Sequence, residues 1–199
     1  MTLAEFDNEI RTRFPVVCGV DEAGRGPLAG DVYAAAVILP LDVCIEGIND
    51  SKKLSPKKRE KLYDEIIEKA EAFCIASASV DEIEELNILN ADMLAMKRAV
   101  EGLQKEIDIV LVDGNKAPDV AFKTCPIVKG DASSQSIAAA SILAKVARDR
   151  YMLELDRLYP QYQFSKHKGY GTKLHYEMIK KYGISKVHRP SFLKNLNEK

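Results

Sequence analysis

The sequence predicts an α/β domain, and three observations carry that prediction. Short apolar runs at 16–20, 31–39, 73–80, 107–112 and 121–128 alternate with amphipathic stretches of helical period. The run Ile107-Asp108-Ile109-Val110-Leu111-Val112 is almost continuously apolar, as expected of a central strand covered on both faces. The alanine-rich stretch 132–148 is apolar on most sides, which suits a helix lying close against a sheet. At 199 residues and 46 % hydrophobic content the chain fits one domain, 1–199, of which about 151–199 forms a C-terminal helical appendage.

The first strand, 16–20, delivers Asp21 and Glu22 to the stretch Gly19-Val20-Asp21-Glu22-Ala23-Gly24-Arg25-Gly26-Pro27-Leu28-Ala29-Gly30. Successive strand side chains point to opposite faces, so both acids serve one site only where the strand ends or bends, and Gly24 and Gly26 supply a bend. A dinucleotide loop would need its glycines to open a helix. Here they precede a returning strand at 31–39. A loop over 41–53 ends in Asn49-Asp50-Ser51-Lys52-Lys53, after which Ser55 reads as a helix N-cap with Pro56 at the first helical position. Leu62, Ile66, Ala70 and Phe73 mark that helix's buried face. Lys57, Lys58 and Arg59 place positive charge at its start, against the helix dipole; with Lys52 and Lys53 they form either a phosphate contact or an ordinary solvated face.

A third strand is expected at 73–80, a short acidic helix at 81–86, and a further helix capped by Asn90 and running to about Leu103. The central strand stops at Asp113-Gly114-Asn115, a turn or a site. A strand at 121–128 leads to Lys129-Gly130-Asp131; Asp131 and Ser133 read as caps of the alanine-rich helix, and Lys145, Arg148 and Arg150 suit its far end. In the polar loop Lys166-His167-Lys168-Gly169-Tyr170-Gly171-Thr172, cations surround one aromatic between glycines, a platform for stacking beside phosphate contacts or a plain lysine-rich loop. His167, His175 and His188 lack close metal-ligand spacing and read singly as surface or packing residues. Cys18, Cys44, Cys74 and Cys125 are irregularly spaced with no CxxC pair, which favours buried reduced thiols over zinc or disulfides.

The net charge of −1 conceals an asymmetry. Residues 1–113 hold 13 Lys+Arg against 23 Asp+Glu, net −10, and residues 114–199 hold 16 against 7, net +9. Carboxylates that hold metal beside a basic surface that holds a polyanion would give this division, as would charges segregated by chance on solvated helices. No window approaches an uncharged membrane span and residues 1–14 lack the apolar core of a signal peptide; a cytoplasmic protein with no membrane association is expected.

Asp21 and Glu22 end one strand, Asp113 ends another and Asp131 lies just before a long helix. If the central strands run parallel, these acids gather at one sheet edge. Such a cluster is self-repulsive until divalent cations reverse the preference, and oxygen-only ligands select Mg²⁺ or Mn²⁺ over zinc. Two ions about 3.5 to 4 Å apart activate water and stabilise a leaving oxygen in phosphodiester cleavage.

The motif at 19–30, Asp50-Ser51-Lys52-Lys53-Leu54, Val112-Asp113-Gly114, Lys129-Gly130-Asp131 and His167-Lys168-Gly169-Tyr170-Gly171-Thr172 together resemble type 2 ribonuclease H, the ribonuclease HII family of the bacterial form, in order from about residue 16 to Phe192. The resemblance implies a ribonuclease H-like mixed β-sheet flanked by helices, with a small C-terminal helical part. It implies metal-dependent endonucleolytic cleavage of RNA paired with or joined to DNA, leaving 3′-hydroxyl and 5′-phosphate ends. Asp21, Glu22, Asp113 and Asp131 would be the catalytic metal ligands for two Mn²⁺ or Mg²⁺ ions. Gly24, Arg25 and Gly26 correspond to the loop that reads the ribose 2′-hydroxyl, and Tyr170 to the residue stacking at the ribonucleotide–deoxyribonucleotide junction. Lys52, Lys53 and Lys168 are further candidate contacts to RNA/DNA hybrid or ribonucleotide-containing DNA. The expected state is a monomer, with a sliding-clamp contact left open. A two-metal DNA nuclease and a non-catalytic nucleic-acid-binding protein are the competing readings.

Overall fold

The computed structural model describes residues 1–49, 51 and 54–194. Its frame is a five-stranded sheet in the order β3-β2-β1-β4-β5. The central strand β1 (Val17–Ala23) is antiparallel to β2 (Val32–Ile38) and parallel to β4 (Ile109–Asp113). Strand β3 (Ala72–Ala78) extends the antiparallel side and β5 (Thr124–Ile127) the parallel side, so the sheet is mixed.

Helices cover both faces. Ala34, Ala36 and Ile38 of β2 pack with Ala95, Met96 and Val100 of α4 (Ile88–Gly102), while Ala35 and Val37 pack with Leu62 and Ile66 of α2 (Pro56–Lys69) and Ile142 of α5 (Gln135–Leu158). Alternate residues face opposite ways and both faces are dry, which is why the strands read as continuous apolar runs. Each fully buried Leu, Ile or Val adds about 1.5–3 kcal/mol. A Cβ on Gly19 would lie 2.1 Å from the Ser136 carbonyl carbon, so the start of α5 rests on the backbone of β1. Helix α1 (Leu3–Arg11), closed by a Thr2/Glu5 capping box, reaches the same helix start: Asp7 Oδ2 accepts from Ser136 N at 2.8 Å and Ser136 Oγ at 2.7 Å.

The Ser55 cap and Pro56 fall where expected, but Ala70 is already the C-cap of α2 and Phe73 lies on β3, 39 % exposed. Arg59 is engaged within the chain: it donates to the Ser51 and Leu54 carbonyls and pairs with Asp149 at 3.8 Å. Ser79 caps α3 (Val80–Leu86), and α4 is capped by Asn87 rather than Asn90. Asn87 holds φ +68° and its side chain accepts from Leu89 N and Asn90 N, so one residue ends α3 and starts α4 with no loop between. Residues 121–123 precede β5 instead of belonging to it.

Helix α5 is capped by Ser134, whose side chain accepts from Ile137 N at 3.2 Å. Asp131 sits in a 3-10 turn, Gly130–Ala132, and Ser133 Oγ donates to the Lys129 carbonyl, so neither is the cap. The helix runs 24 residues without a break, through Tyr151; Arg148 and Arg150 are therefore interior rather than terminal. Beyond it, α6 (Phe164–His167) and α7 (Lys173–Tyr182) close the C-terminal part, where Tyr162 and Phe164 pack on Ala29 and Met152. All four cysteines are free. Cys18 is buried and its thiol is pushed up to about 12 by burial, whereas Cys44 is exposed, against the expectation of burial.

Candidate active site

Parallel pairing of β1 with β4 runs from Val17↔Ile109 to Val20↔Val112, which places Asp21 and Asp113 next along the same edge. From there β1 is held by β2 alone, through Asp21↔Ala35 and Glu22↔Ala34. The strand thus continues through both acids instead of stopping before them. Asp21 is 5 % exposed, and its Oδ1 accepts from the Glu22 N–H at 2.7 Å. Asp113 Oδ1 accepts from the Asp131 N–H at 3.3 Å, which brings the third and fourth acids together.

Burial, then the charges of Glu22 and Asp113, push the Asp21 carboxyl well above the usual range, while the Ser141 hydroxyl beside it pulls the other way. The donor set is all oxygen. Among the described residues no three His, Cys, Asp or Glu side chains close tightly enough to hold an ion. The acids line one edge as mutually repelling charges, the arrangement in which an added cation is favourable.

Sequence reasoning missed Asp92 on α4. It is 0 % exposed, and neither carboxyl oxygen has a hydrogen-bond partner among the described residues. Burial, then the charge of Glu22, push it up to about 8, opposed by Arg25, whose Nε lies 3.5 Å from Oδ2. Arg25 also stands 3.7 Å from Glu22 Oε1, between the two carboxylates. On an amphipathic helix an aspartate reads as solvent-facing, so nothing in the local pattern marks it.

The glycine loop begins at Gly24, which holds φ +102° and has Arg148 Nε 2.1 Å from where a Cβ would sit. Any side chain there is excluded twice, by conformation and by space. Arg25 and Gly26 are exposed, and their N–H groups have no hydrogen-bond partner among the described residues. Tyr170, 42 % exposed, stands beside this loop: a Cβ on Gly26 would be 3.8 Å from its Cε1, and Arg148 Cζ lies 5.9 Å from its ring centre. The loop and the aromatic, far apart in sequence, thus flank one surface. Lys168 is built into its own loop; its ammonium donates to the Ser165 carbonyl and its carbonyl accepts from Arg148 at 3.1 Å. Lys52 and Lys53 lie outside the described residues.

All three histidines of the chain gather behind Tyr170, which single-residue readings missed. His188 Nδ1 accepts from Ser185 N at 3.0 Å, so its Nε2 carries the proton that meets His175 Nε2 at 3.2 Å. His175 Nδ1 then donates to the Tyr170 carbonyl at 2.9 Å, and His167 stacks on His175 at 4.2 Å between ring centres. Burial pushes His175 and His188 down to about 4. Among the described residues no helix is long and apolar enough to cross a membrane.

Comparison with known proteins points to one family and one fold. The family model described as Ribonuclease HII matches residues 18–195. A Ribonuclease HII of Caldicellulosiruptor bescii is 59 % identical over 180 residues, 90 % of this chain and 87 % of that protein. The solved ribonuclease H2 from Pyrococcus horikoshii OT3 has a TM-score of 0.75 and 26 % identity, covering 92 % of this chain and 97 % of that one. The RNase HII in the PCNA:RNase HII complex from Archaeoglobus fulgidus has a TM-score of 0.72 and 25 % identity, over 87 % and 93 %.

Proposed function

The chain belongs to the ribonuclease HII family, and we propose that it cuts duplex DNA on the 5′ side of embedded ribonucleotides as well as the RNA strand of RNA/DNA hybrids, leaving 3′-hydroxyl and 5′-phosphate ends. It is an endoribonuclease acting on RNA of RNA/DNA hybrids. One observation supports the finer reading: a carboxylate edge, two unpartnered N–H groups and one exposed aromatic adjoin a single surface.

Asp21, Glu22, Asp113 and Asp131 would hold two divalent cations, Mg²⁺ or Mn²⁺, and their all-oxygen chemistry fits hard ions. When bound, such ions activate a water and stabilise the leaving oxygen. The chain's own residues bind and orient. Arg25 and Gly26 offer main-chain donors to a ribose 2′-hydroxyl, the group that separates RNA from DNA. Tyr170 supplies a flat apolar face for the next sugar or base. Arg25 balances Glu22 until substrate arrives. The histidines are engaged with one another and with main-chain groups, so none serves as the base.

The test is cleavage of a labelled DNA duplex carrying one ribonucleotide, beside an all-DNA control, with Mg²⁺, with Mn²⁺ and with chelator. Metal-dependent cutting 5′ to the ribonucleotide alone is expected. Equal cutting of the control would instead identify a DNA nuclease, and no cutting of either a binding protein.

A further inference from the structure

Arg189 is 0 % exposed, and none of its guanidinium hydrogen bonds goes to a carboxylate. All five go to main-chain carbonyls of one segment: Gly24 at 2.8 Å, Arg25 at 3.1 Å, Pro27 at 2.9 Å and Gly30 at 2.9 and 2.6 Å. Its own N–H donates to Leu28 O at 2.8 Å. From the other side Arg148, 1 % exposed, donates to Ala29 O, Asp31 O and Lys168 O at 3.1 Å each.

Seven of the eight carbonyls from Gly24 to Asp31 are thus held by two buried arginines. A peptide unit is planar, so a carbonyl turned inward sends the N–H of the following residue outward. Capture of Gly24 O therefore aims the N–H of Arg25, and capture of Arg25 O aims the N–H of Gly26. These are the two exposed, unpartnered donors. Burying a guanidinium against neutral dipoles is costly and is tolerated here because all five donors are satisfied at once. A lysine, with three donors and no planar fork, cannot reproduce the set. The segment that carries Arg189 is tied down on both flanks, before it by Val187 O accepting from Gly30 N at 2.8 Å and by His188 in the histidine cluster, and after it by Ser191, whose N–H and hydroxyl donate to Glu84.

We propose that Arg189, with Arg148 opposite it, is the positioning residue for ribose choice: it presets the main chain of 24–30 so that the Arg25 and Gly26 donors already point at a 2′-hydroxyl before substrate binds. This rests on the reading of 24–26 as the ribose-sensing loop. Arg189 touches no substrate; it acts through backbone that it holds rigid, which lowers the ordering cost of binding.

The experiment measures equilibrium binding, by fluorescence anisotropy in Ca²⁺, of a DNA duplex with one ribonucleotide and of the same duplex all in DNA. The ratio of the two Kd values is unaffected by the fraction of folded protein, so a merely structural role does not move it. The parent is expected to favour the ribonucleotide, and Arg189→Lys to lose about tenfold of that preference, the size of one hydrogen bond. A folded Arg189→Lys with the parent ratio overturns the proposal. If Arg189→Lys shows no cooperative melt, Arg148→Lys carries the same expectation, and an unchanged ratio there overturns it. A parent ratio of one would overturn the loop reading, and the proposal with it; the two failures differ in which protein shows them.

Discussion

Acidification from pH 7 to pH 5 should strip stability from the histidine cluster. The chain Ser185 N–H to His188 to His175 to the Tyr170 carbonyl requires both rings neutral, because a second proton between the facing Nε2 atoms, 3.2 Å apart, leaves two donors and no acceptor. Both rings are pushed from 6.5 down to about 4, so between those values the unfolded chain binds protons that the folded chain refuses. Stability is therefore complete above about pH 6.5 and falls as pH drops through this window. One ring contributes about 2 kcal/mol over pH 7 to 5, and the coupled pair on the order of 4 kcal/mol. Asp92, at about 8 in the folded chain, works in the opposite sense, because its folded form keeps a proton that the unfolded form releases. Urea unfolding of the parent and of His188→Asn at both pH values separates the two, since Asp92 cancels in the difference. The advantage of parent over variant should shrink by about 2 kcal/mol at pH 5. A difference constant to within about 0.5 kcal/mol would refute the neutral-ring argument.

Asp21→Asn should lower kcat by about a thousandfold or more, the scale of losing metal-assisted charge stabilisation. The same variant, in chelator, should melt above the parent by a margin that widens from pH 5 to pH 8, because a carboxylate raised by burial and by its acidic neighbours destabilises the fold increasingly as it ionises. Tyr170→Phe should keep near-parent cleavage at embedded ribonucleotides whereas Tyr170→Ala loses about tenfold or more in kcat/KM; equal loss in both would point to the hydroxyl rather than the ring. Gly24→Ala meets Arg148 Nε at 2.1 Å and a φ of +102°, and should lower the melting temperature by several degrees, read by calorimetry, while cutting activity more than stability.

The residues that announce this fold are those whose neighbours are local. Ser55 and Pro56 start a helix because the cap acts three residues ahead, and residues 107–112 read as a buried strand because both faces of β4 are covered. The approach of Asp21, Asp113 and Asp131 was legible for a related reason: parallel pairing of β1 with β4 and the turn before α5 carry them to one edge whatever the side chains between, although β1 runs on through Asp21 and Glu22. Long-range partners left no such mark. Asn87 caps α4 through a positive φ that composition does not announce. Arg148 looks like a helix-end cation until α5 is seen to continue ten residues beyond it, to Leu158. Arg189 directs its hydrogen bonds to carbonyls about 160 positions away, which every residue type carries, so no pattern could flag it. Asp92 and the three histidines are ordinary polar residues by sequence and buried ones by packing.

The unbroken helix α5 also sets a limit on how the protein can vary. Ser141, beside Asp21, and Arg148, beneath the glycine loop, are seven residues apart, two full turns, and so emerge on one side of the rod about 10 Å apart. On the proposed reading, the place where a bond is broken and the place where a sugar is recognised are thereby spaced by helical pitch rather than by a loop. A loop absorbs an inserted residue; here one insertion would swing Arg148 about 100° around the axis and unhook recognition from cutting. Natural variants of this chain should therefore almost never change length between residues 141 and 148.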